Sequence, residues 1–491
     1  MDKSEEVGTH KKEGKVTFRA KVVFIGALFL AVVLAIIIEH MAGPSYKIVP
    51  VHSFMLAPFI LLLLCIAIIP FISSDWWGRR YHLVSYGLGL VSVLYYFLIL
   101  HNGKRVMHTA LDYFSFICLI GSLFVVSGGL HIRIKGRSTP VANVLLLAIG
   151  AVVANLFGTT GASMLLIRPY IRVNKYRVSG YHIVFFIFIV SNIGGLLTPI
   201  GDPPLFLGYL KGVPFFWVIE RTWYIWAFVS ALVLVVFYFI DRYQYRKIPL
   251  PLEHEIEEAG EHARIQGLHN IIFLVVILAA VFLDRPIREI IMIGAAITSY
   301  LTTKDVVHLQ NDFNFIPIKE VAILFAGIFA TMVPVLDWLE LNAGNLGIVG
   351  PGPFYWGSGI LSSFLDNAPT YLNFLSAACG LHNLSVDNLQ HMKALLGLLP
   401  PEQLSRLQGI LGSPTCIIND QSWRYVQAIS AGAVMFGANT YIGNGPNFMV
   451  KSIAEQSHVR MPSFFGYMVK YSIPILVPIF FIVWYIFFRG Y

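Results

Sequence analysis

Two acids are best placed to do chemistry in this chain, Asp366 and, first along the chain, Asp202. The latter sits in TPIGDPPLF (198–206), and that segment returns as TYIGNGPNF (440–448), with Thr, Ile, Gly, Pro and Phe in register and Asn444 opposite Asp202. Each copy lies in a long apolar segment and is too rich in Gly and Pro for an unbroken helix. A helix broken at membrane depth leaves backbone groups without helical partners; unwound carbonyls then suit cations and half-helix N-termini suit anions. A second acid, Asp366, falls in the turn-like centre of SSFLDNAPT (362–370). A carboxylate inside a membrane is a functional candidate by default. It can hold a proton or a cation in exchange, which is the minimal chemistry of an antiporter. Thr, Ser and Asn near the breaks add neutral oxygens, the ligands a hard cation such as Na⁺ prefers. The competing reading of both acids is as helix N-caps.

The rest of the chain must hold these groups in lipid. Of 491 residues, 56% are hydrophobic and 13% charged, against roughly 25% charged in soluble domains. The mean hydropathy is +0.69. A formal charge of +8 does not point to nucleic acid, because the basic residues lie between apolar segments, as positive-inside loops require. Residues 1–21 are polar and basic. The apolar run after them has no small-residue cleavage site, so it reads as an uncleaved first span.

A spanning helix needs about 20 apolar residues. The sequence predicts spans at 22–38, 54–72, 83–100, 111–130, 181–210 (broken), 215–240, 270–283, 287–301, 321–339, 426–454 (broken) and 464–488. Two further stretches, 141–171 and 354–378, have polar, turn-forming centres, LFGTTGAS and SSFLDNAPT, and read as re-entrant hairpins. The expected fold is therefore an all-α polytopic membrane protein with about 11 transmembrane helices, two opposed hairpins and two broken helices in inverted repeats. With a cytoplasmic N-terminus and hairpins that do not cross, the basic segments 131–137, 168–177 and 241–247 fall inside. The two hairpins then enter from opposite sides.

The implied organisation is a cytoplasmic tail (1–21), scaffold helices (22–108), a first repeat (109–213), scaffold helices with a cytoplasmic loop (214–317), a second repeat (318–455) carrying an extracytoplasmic insertion (380–425), and a final helix (456–491). Cys379 and Cys416 flank or occupy the insertion, where either a disulfide or two free thiols would fit. Asp112, Glu320 and Asp337 lie near span ends and read as interfacial; Asp241 and Asp284 read as boundary residues. The run HEIEEAGEH (254–262) reads as a solvated loop. There is no Walker A motif and no nucleophile–base motif, so no enzymatic role and no cofactor are expected.

SNIGGLLTPIGDPPLF (191–206), FLDNAPT (364–370) and GANTYIGNGPNF (437–448) resemble the ion transporter superfamily, which includes NhaD-type sodium/proton antiporters, ArsB-type arsenite permeases, and citrate and dicarboxylate transporters. The likeness is to the NhaD-like and citrate-transporter (CitMHS-like) branch, over roughly 111–488. The resemblance implies a homodimer and an elevator-like movement of the hairpin bundle against a scaffold. It places a first cation site at Thr159, Thr160, Asn192, Thr198 and Asp202, and a second at Asp366, Asn367, Thr370, Asn439, Thr440 and Asn444, with Ser191, Gly201 and Gly443 in the same breaks. The superfamily's dicarboxylate carriers have Ser-Asn-Thr at both hairpin tips; here the tips read GTTGAS and LDNAPT. The expected function is therefore Na⁺ (or Li⁺)/H⁺ antiport, with Asp202 and Asp366 exchanging protons for sodium. Coupled transport of citrate or another carboxylate is the alternative. The expected location is a bacterial inner membrane, the partners inorganic cations and lipid.

Overall fold

The computed structural model describes residues 47–133, 138–247, 264–411 and 414–490. The expected tail (1–21), first span (22–38) and loop 254–262 lie outside them. Among the described residues the regular structure is helical except for one antiparallel ribbon, β1 (His131–Arg133) against β2 (Arg264–Gln266), with Ile132 opposite Ile265.

The chain opens with α1 (Ala57–Ile72), α2 (Ser74–Leu94) and α3 (Gly103–Gly128). Then come α4 (Pro140–Val173), α5 (Gly180–Ile189), α6 (Pro203–Leu210) and α7 (Phe215–Tyr245). α8 (Asn270–Ala280), α9 (Ile287–Thr302), α10 (Asp305–Gln310) and α11 (Ile316–Asn342) lead to the paired α12 (Pro351–Phe364) and α13 (Asn367–Leu381). α14 (Leu389–Leu395) and α15 (Pro401–Leu411) form the insertion. α16 (Trp423–Phe436), α17 (Gly445–Gln456), α18 (Phe464–Tyr467) and α19 (Val477–Phe487) complete the chain, the last two joined by a π-helical stretch, Met468–Leu476.

Eight stretches are long and apolar enough to cross a membrane among the described residues. Seven coincide with predicted spans; the eighth is the first hairpin, whose arms run together as one apolar segment. The predicted span at 270–283 shortens to a helix of 11 residues, while that at 287–301 forms a helix of 16. Large apolar side chains such as Leu61, Leu64, Leu90, Val235 and Phe481 point outward. Lipid solvates such a surface and water does not.

Both expected hairpins are present. In α4 the helix is interrupted at Gly158, with φ 72° and ψ 157°. That conformation is open to glycine, and a Cβ there would stand 3.2 Å from the Ile200 carbonyl oxygen. The two arms fold back on each other: Asn143 and Asn174 exchange amide hydrogen bonds of 2.9 Å, whereas 31 residues of straight helix would part them by about 46 Å. The second hairpin turns at Leu365–Asp366 between α12 and α13. Its arms of 14 and 15 residues reach about 21 Å, short of the roughly 30 Å hydrocarbon layer.

The hairpins enter from opposite ends. α7, 31 residues long, serves as the ruler. Near its C-terminal end Asp241 accepts from Asn143 (3.1 Å), Tyr181 (2.7 Å) and Arg177 at the mouth of the first hairpin. Near its N-terminal end the Arg221 carbonyl and Tyr224 meet Gln427, close to Tyr425, whose hydroxyl accepts from Gly350 N–H (2.8 Å) at the mouth of the second.

Two groups of helices result. α1, α2, α3, α8, α9 and α11 pack as a framework, while the hairpins, α5, α6, α7, α16, α17 and α18–α19 pack as a hairpin bundle. α7 thus lies with the hairpins, and α3 with the framework. The groups meet chiefly where α3 touches α4 and α6, and where α11 touches α13.

Candidate functional site

The predicted break at 191–202 forms between α5 and α6, where a short 3₁₀ turn (Ile193–Leu197) and extended residues replace helix. Asp202 occupies the N-cap position of α6 with extended backbone (φ −144°, ψ 144°), but its side chain makes no capping hydrogen bond. It is fully buried. Its Oδ1 accepts from Thr159 Oγ1 (2.6 Å) and Asn444 Nδ2 (3.1 Å), and its Oδ2 accepts from Asn367 Nδ2 (2.6 Å). The donors come from the first hairpin tip, the second break and the second hairpin tip. Two of the residues predicted for a second cluster, Asn367 and Asn444, therefore turn toward Asp202. Asp366 behaves differently: its Oδ1 caps α13 by accepting from Ala368 N–H (3.0 Å), and its carbonyl accepts from Thr370 Oγ1 (2.9 Å).

The remaining predicted residues build the scaffolding of the node, and they do so twice. Thr198 Oγ1 donates to the Asn155 carbonyl (2.8 Å) and accepts from Gly201 N–H (3.0 Å). Thr440 Oγ1 donates to the Ser363 carbonyl and accepts from Gly443 N–H (3.1 Å). Asn155 Nδ2 donates to the Gly194 carbonyl (2.7 Å), and Ser363 Oγ to the Phe436 carbonyl (3.3 Å). Each hairpin is thus stitched to its own break by the same bonds at equivalent positions. The repeats are then tied to each other by Asn192 Nδ2 to Asn447 Oδ1 (2.7 Å) and by Asn444 Nδ2 to the Ser191 carbonyl (3.0 Å). Ser191 Oγ also pairs with Ser163 Oγ (2.8 Å).

Asn155, Ser163, Ser363 and Asn447 were not singled out from sequence. A neutral polar residue three positions before each hairpin turn was the available signal: Asn155 before Gly158, Ser363 before Asp366.

The amides of Asn192, Asn367 and Asn439 spend their nitrogens on Asn447, Asp202 and Ser363. Their buried Oδ1 atoms have no hydrogen-bond partner among the described residues. Orphaned amide oxygens at both breaks and at the second hairpin tip, with the Asp202 carboxylate, are hard oxygen donors of the kind an alkali cation takes and a transition metal does not need. Gly437 packs closely here: a Cβ on it would stand 2.9 Å from Asn192 Oδ1 and 3.2 Å from the Gly443 carbonyl oxygen. A cavity of about 30 Å³ lies against Thr159, Thr160, Pro199 and Asp202, walled by Leu119, Leu123 and Phe124 of α3. It has room for a water or a bare cation, not a carboxylate of several carbons.

A second group of charges lies at the far end of α6. Asp337 is fully buried, accepting from Arg105 Nε (2.8 Å) and Tyr96 Oη (2.6 Å). Asp112 accepts from Lys211 Nζ (2.6 Å) and Arg285 Nη2 (2.6 Å). Asp337, expected to be interfacial, is instead fully buried against Arg105, while Asp112, expected near a span end where water reaches, lines a vestibule with its partners Lys211 and Arg285. Asp241, expected at a boundary, is likewise buried by Arg177 and Tyr181. Lys211, Arg285, Asp112 and Asp387 face a vestibule of about 1010 Å³. Cys379 and Cys416 are free thiols; Cys416 Sγ sits 3.8 Å from Tyr425 Oη.

These features define a multi-pass helical membrane protein with two opposed re-entrant hairpins, their tips gathered on one buried carboxylate. The chain belongs to the family described as "Putative citrate transport", whose model matches residues 47–488. No curated protein matches the chain.

Proposed function

We propose that this protein is a cation-coupled carrier of citrate or a related carboxylate, with the cation held at Asp202. The observation that carries the reading is the node itself: one buried carboxylate, three neutral donors on it, and three amide oxygens without partners. An anionic substrate gains nothing from approaching a bare Asp202. A bound Na⁺ or proton removes that repulsion, so coupling is an electrostatic requirement. The carboxylate would bind next to the tips once the hairpin bundle parts from α3, whose Leu119, Leu123 and Phe124 now cover them. Movement of the hairpin bundle against the framework would present the node to each side in turn. On this reading the chain lies in a bacterial inner membrane as a homodimer, with the mouth of the first hairpin, where His131, Arg168 and Arg177 gather, on the cytoplasmic side.

Na⁺ (or Li⁺)/H⁺ antiport is the second reading. It is favoured by Asp202, a buried carboxylate that the structure gives neutral hydrogen-bond donors, which suffices to trade a proton for a cation. Proteoliposomes containing a pH dye and labelled citrate separate the two. Citrate accumulation driven by a Na⁺ or H⁺ gradient, and lost in Asp202→Asn, supports the carrier. Na⁺-driven proton flux with no citrate present refutes it in favour of antiport.

A further inference from the structure

The hairpin bundle and the framework are joined differently on the two faces of the protein. At the vestibule, Lys211 terminates α6 and belongs to the bundle. Its Nζ donates to Asp112 Oδ2 of framework helix α3 (2.6 Å) and also to Asp387, in the loop after α13. The same loop reaches the framework twice more: Asp387 Oδ2 lies 3.4 Å from Arg105 Nη1, and Val386 N–H donates to Glu340 Oε2 (3.2 Å). The Lys211 side chain is 6% exposed and that of Asp112 is 12% exposed, so solvent screens this contact weakly.

The opposite face has a narrower seam, a cavity of about 30 Å³ between the second arm of the first hairpin and the framework, lined by Met164, Arg168, Phe124, Asp312 and Phe313. The ion pair across it, Arg168 Nη2 to Asp312 Oδ2 (3.2 Å), has Asp312 76% exposed, and exposed pairs of this kind contribute little.

We infer that Lys211 is a latch: it holds the bundle to the framework at the vestibule face and so sets how often the seam on the opposite face opens. The inference rests on the reading of the bundle as the moving part. Lys211 is suited to the task because, when bundle and framework part, Asp112 keeps Arg285, Arg105 keeps Asp337, and Lys211 itself keeps Asp387, which travels with the bundle. Releasing the latch therefore strands no carboxylate, and the two faces can exchange without leaving a lone buried charge.

The test uses the full-length protein in detergent, with Cys416→Ser as background and Met164→Cys as reporter of the seam, and measures its labelling by a membrane-impermeant maleimide. Lys211→Met and Asp112→Asn are each expected to raise the labelling rate about fivefold or more, the range of an ordinary coupling between sites. The double variant is expected to label no faster than the quicker single variant, because both remove one contact. Lys211→Arg, which keeps the charge, should stay within about twofold of the reporter protein, a difference below 0.5 kcal/mol. Unchanged labelling in the single variants, multiplicative effects in the double, or a Lys211→Arg rate like that of Lys211→Met would overturn the latch. Labelling needs no substrate, so absence of citrate flux would count against the proposed function and leave this measurement intact.

Discussion

Replacing Asp202 by Asn keeps the shape of the side chain and removes its charge. The carboxylate now accepts three hydrogen bonds, from Thr159, Asn444 and Asn367. In the variant one oxygen becomes an NH₂ group that must face a donor. Turned toward Asn367, it would be accommodated by rotation of that amide, whose Oδ1 has no other partner. The structural cost is then about 1 kcal/mol, that of one exchanged hydrogen bond. The cost to cation binding is larger. At a contact distance of roughly 2.4 Å and an effective dielectric of about 20, the carboxylate–cation attraction is about 7 kcal/mol before desolvation. Retaining somewhat less than half of that gives a net loss of ~3 kcal/mol, more than 100-fold in affinity. The assay is the stabilisation of detergent-solubilised protein by Na⁺, Li⁺ and K⁺ in thermal unfolding, which reads binding through mass action. The wild-type protein should show a cation-dependent rise in Tm, and Asp202→Asn should show none at the same concentrations while unfolding close to the cation-free wild type. If Asp202→Asn keeps the wild-type cation response, the cation does not sit on Asp202 and the reasoning fails.

Other outcomes follow from the same geometry. Gly437→Ala should weaken cation stabilisation about tenfold with little change in cation-free Tm, because its Cβ would press on Asn192 Oδ1. Gly445→Ala, where a Cβ meets nothing within 4 Å, should match wild type within about 0.5 kcal/mol in the same melts. Gly158→Ala should lower Tm and transport together, since an L-residue at φ 72°, ψ 157° is strained by about 1–3 kcal/mol and its Cβ meets the Ile200 carbonyl. Asp337→Asn should destabilise the protein by about 3–5 kcal/mol in denaturant or thermal unfolding, because it removes a buried partner of Arg105; a melt like that of wild type would show that Asp387 alone suffices to hold this arginine.

The hairpins and breaks were legible in the sequence because their causes are local. Gly158, the DNAP turn and the paired TPIGDPPLF and TYIGNGPNF segments each interrupt a helix by their own backbone chemistry, so the reversal can be read where it happens. Asp202 was legible for the same reason: a carboxylate in an apolar run is conspicuous. Its role as the meeting point of both repeats was not, since Asn367 and Asn444 reach it from 165 and 242 residues away. The charged cluster was hidden in the same way. Asp337 near the end of α11 looks interfacial until Arg105, 232 residues earlier, is found beside it. Asp366 shows the reverse case, a conspicuous acid whose carboxylate is spent on the N–H group two residues on.

The two halves of the node are near copies in the bonds that Thr198 and Thr440 make between hairpin and break, and they differ in charge: Asp202 stands where the second half has Asn444. A strictly doubled site would carry either two charges or none. This one carries a single Asp, so on the proposed reading the empty Asp202 node is anionic and one bound monovalent cation neutralises it. On the empty stroke the membrane field acts on the Asp202 charge, and on the loaded stroke on the carboxylate substrate's own charge, each worth up to roughly 2.3 kcal/mol per elementary charge per 100 mV for a full crossing. The Asp/Asn mismatch between the repeats thereby sets the node's share of the electrical cost at one charge, borne only when its cation is absent.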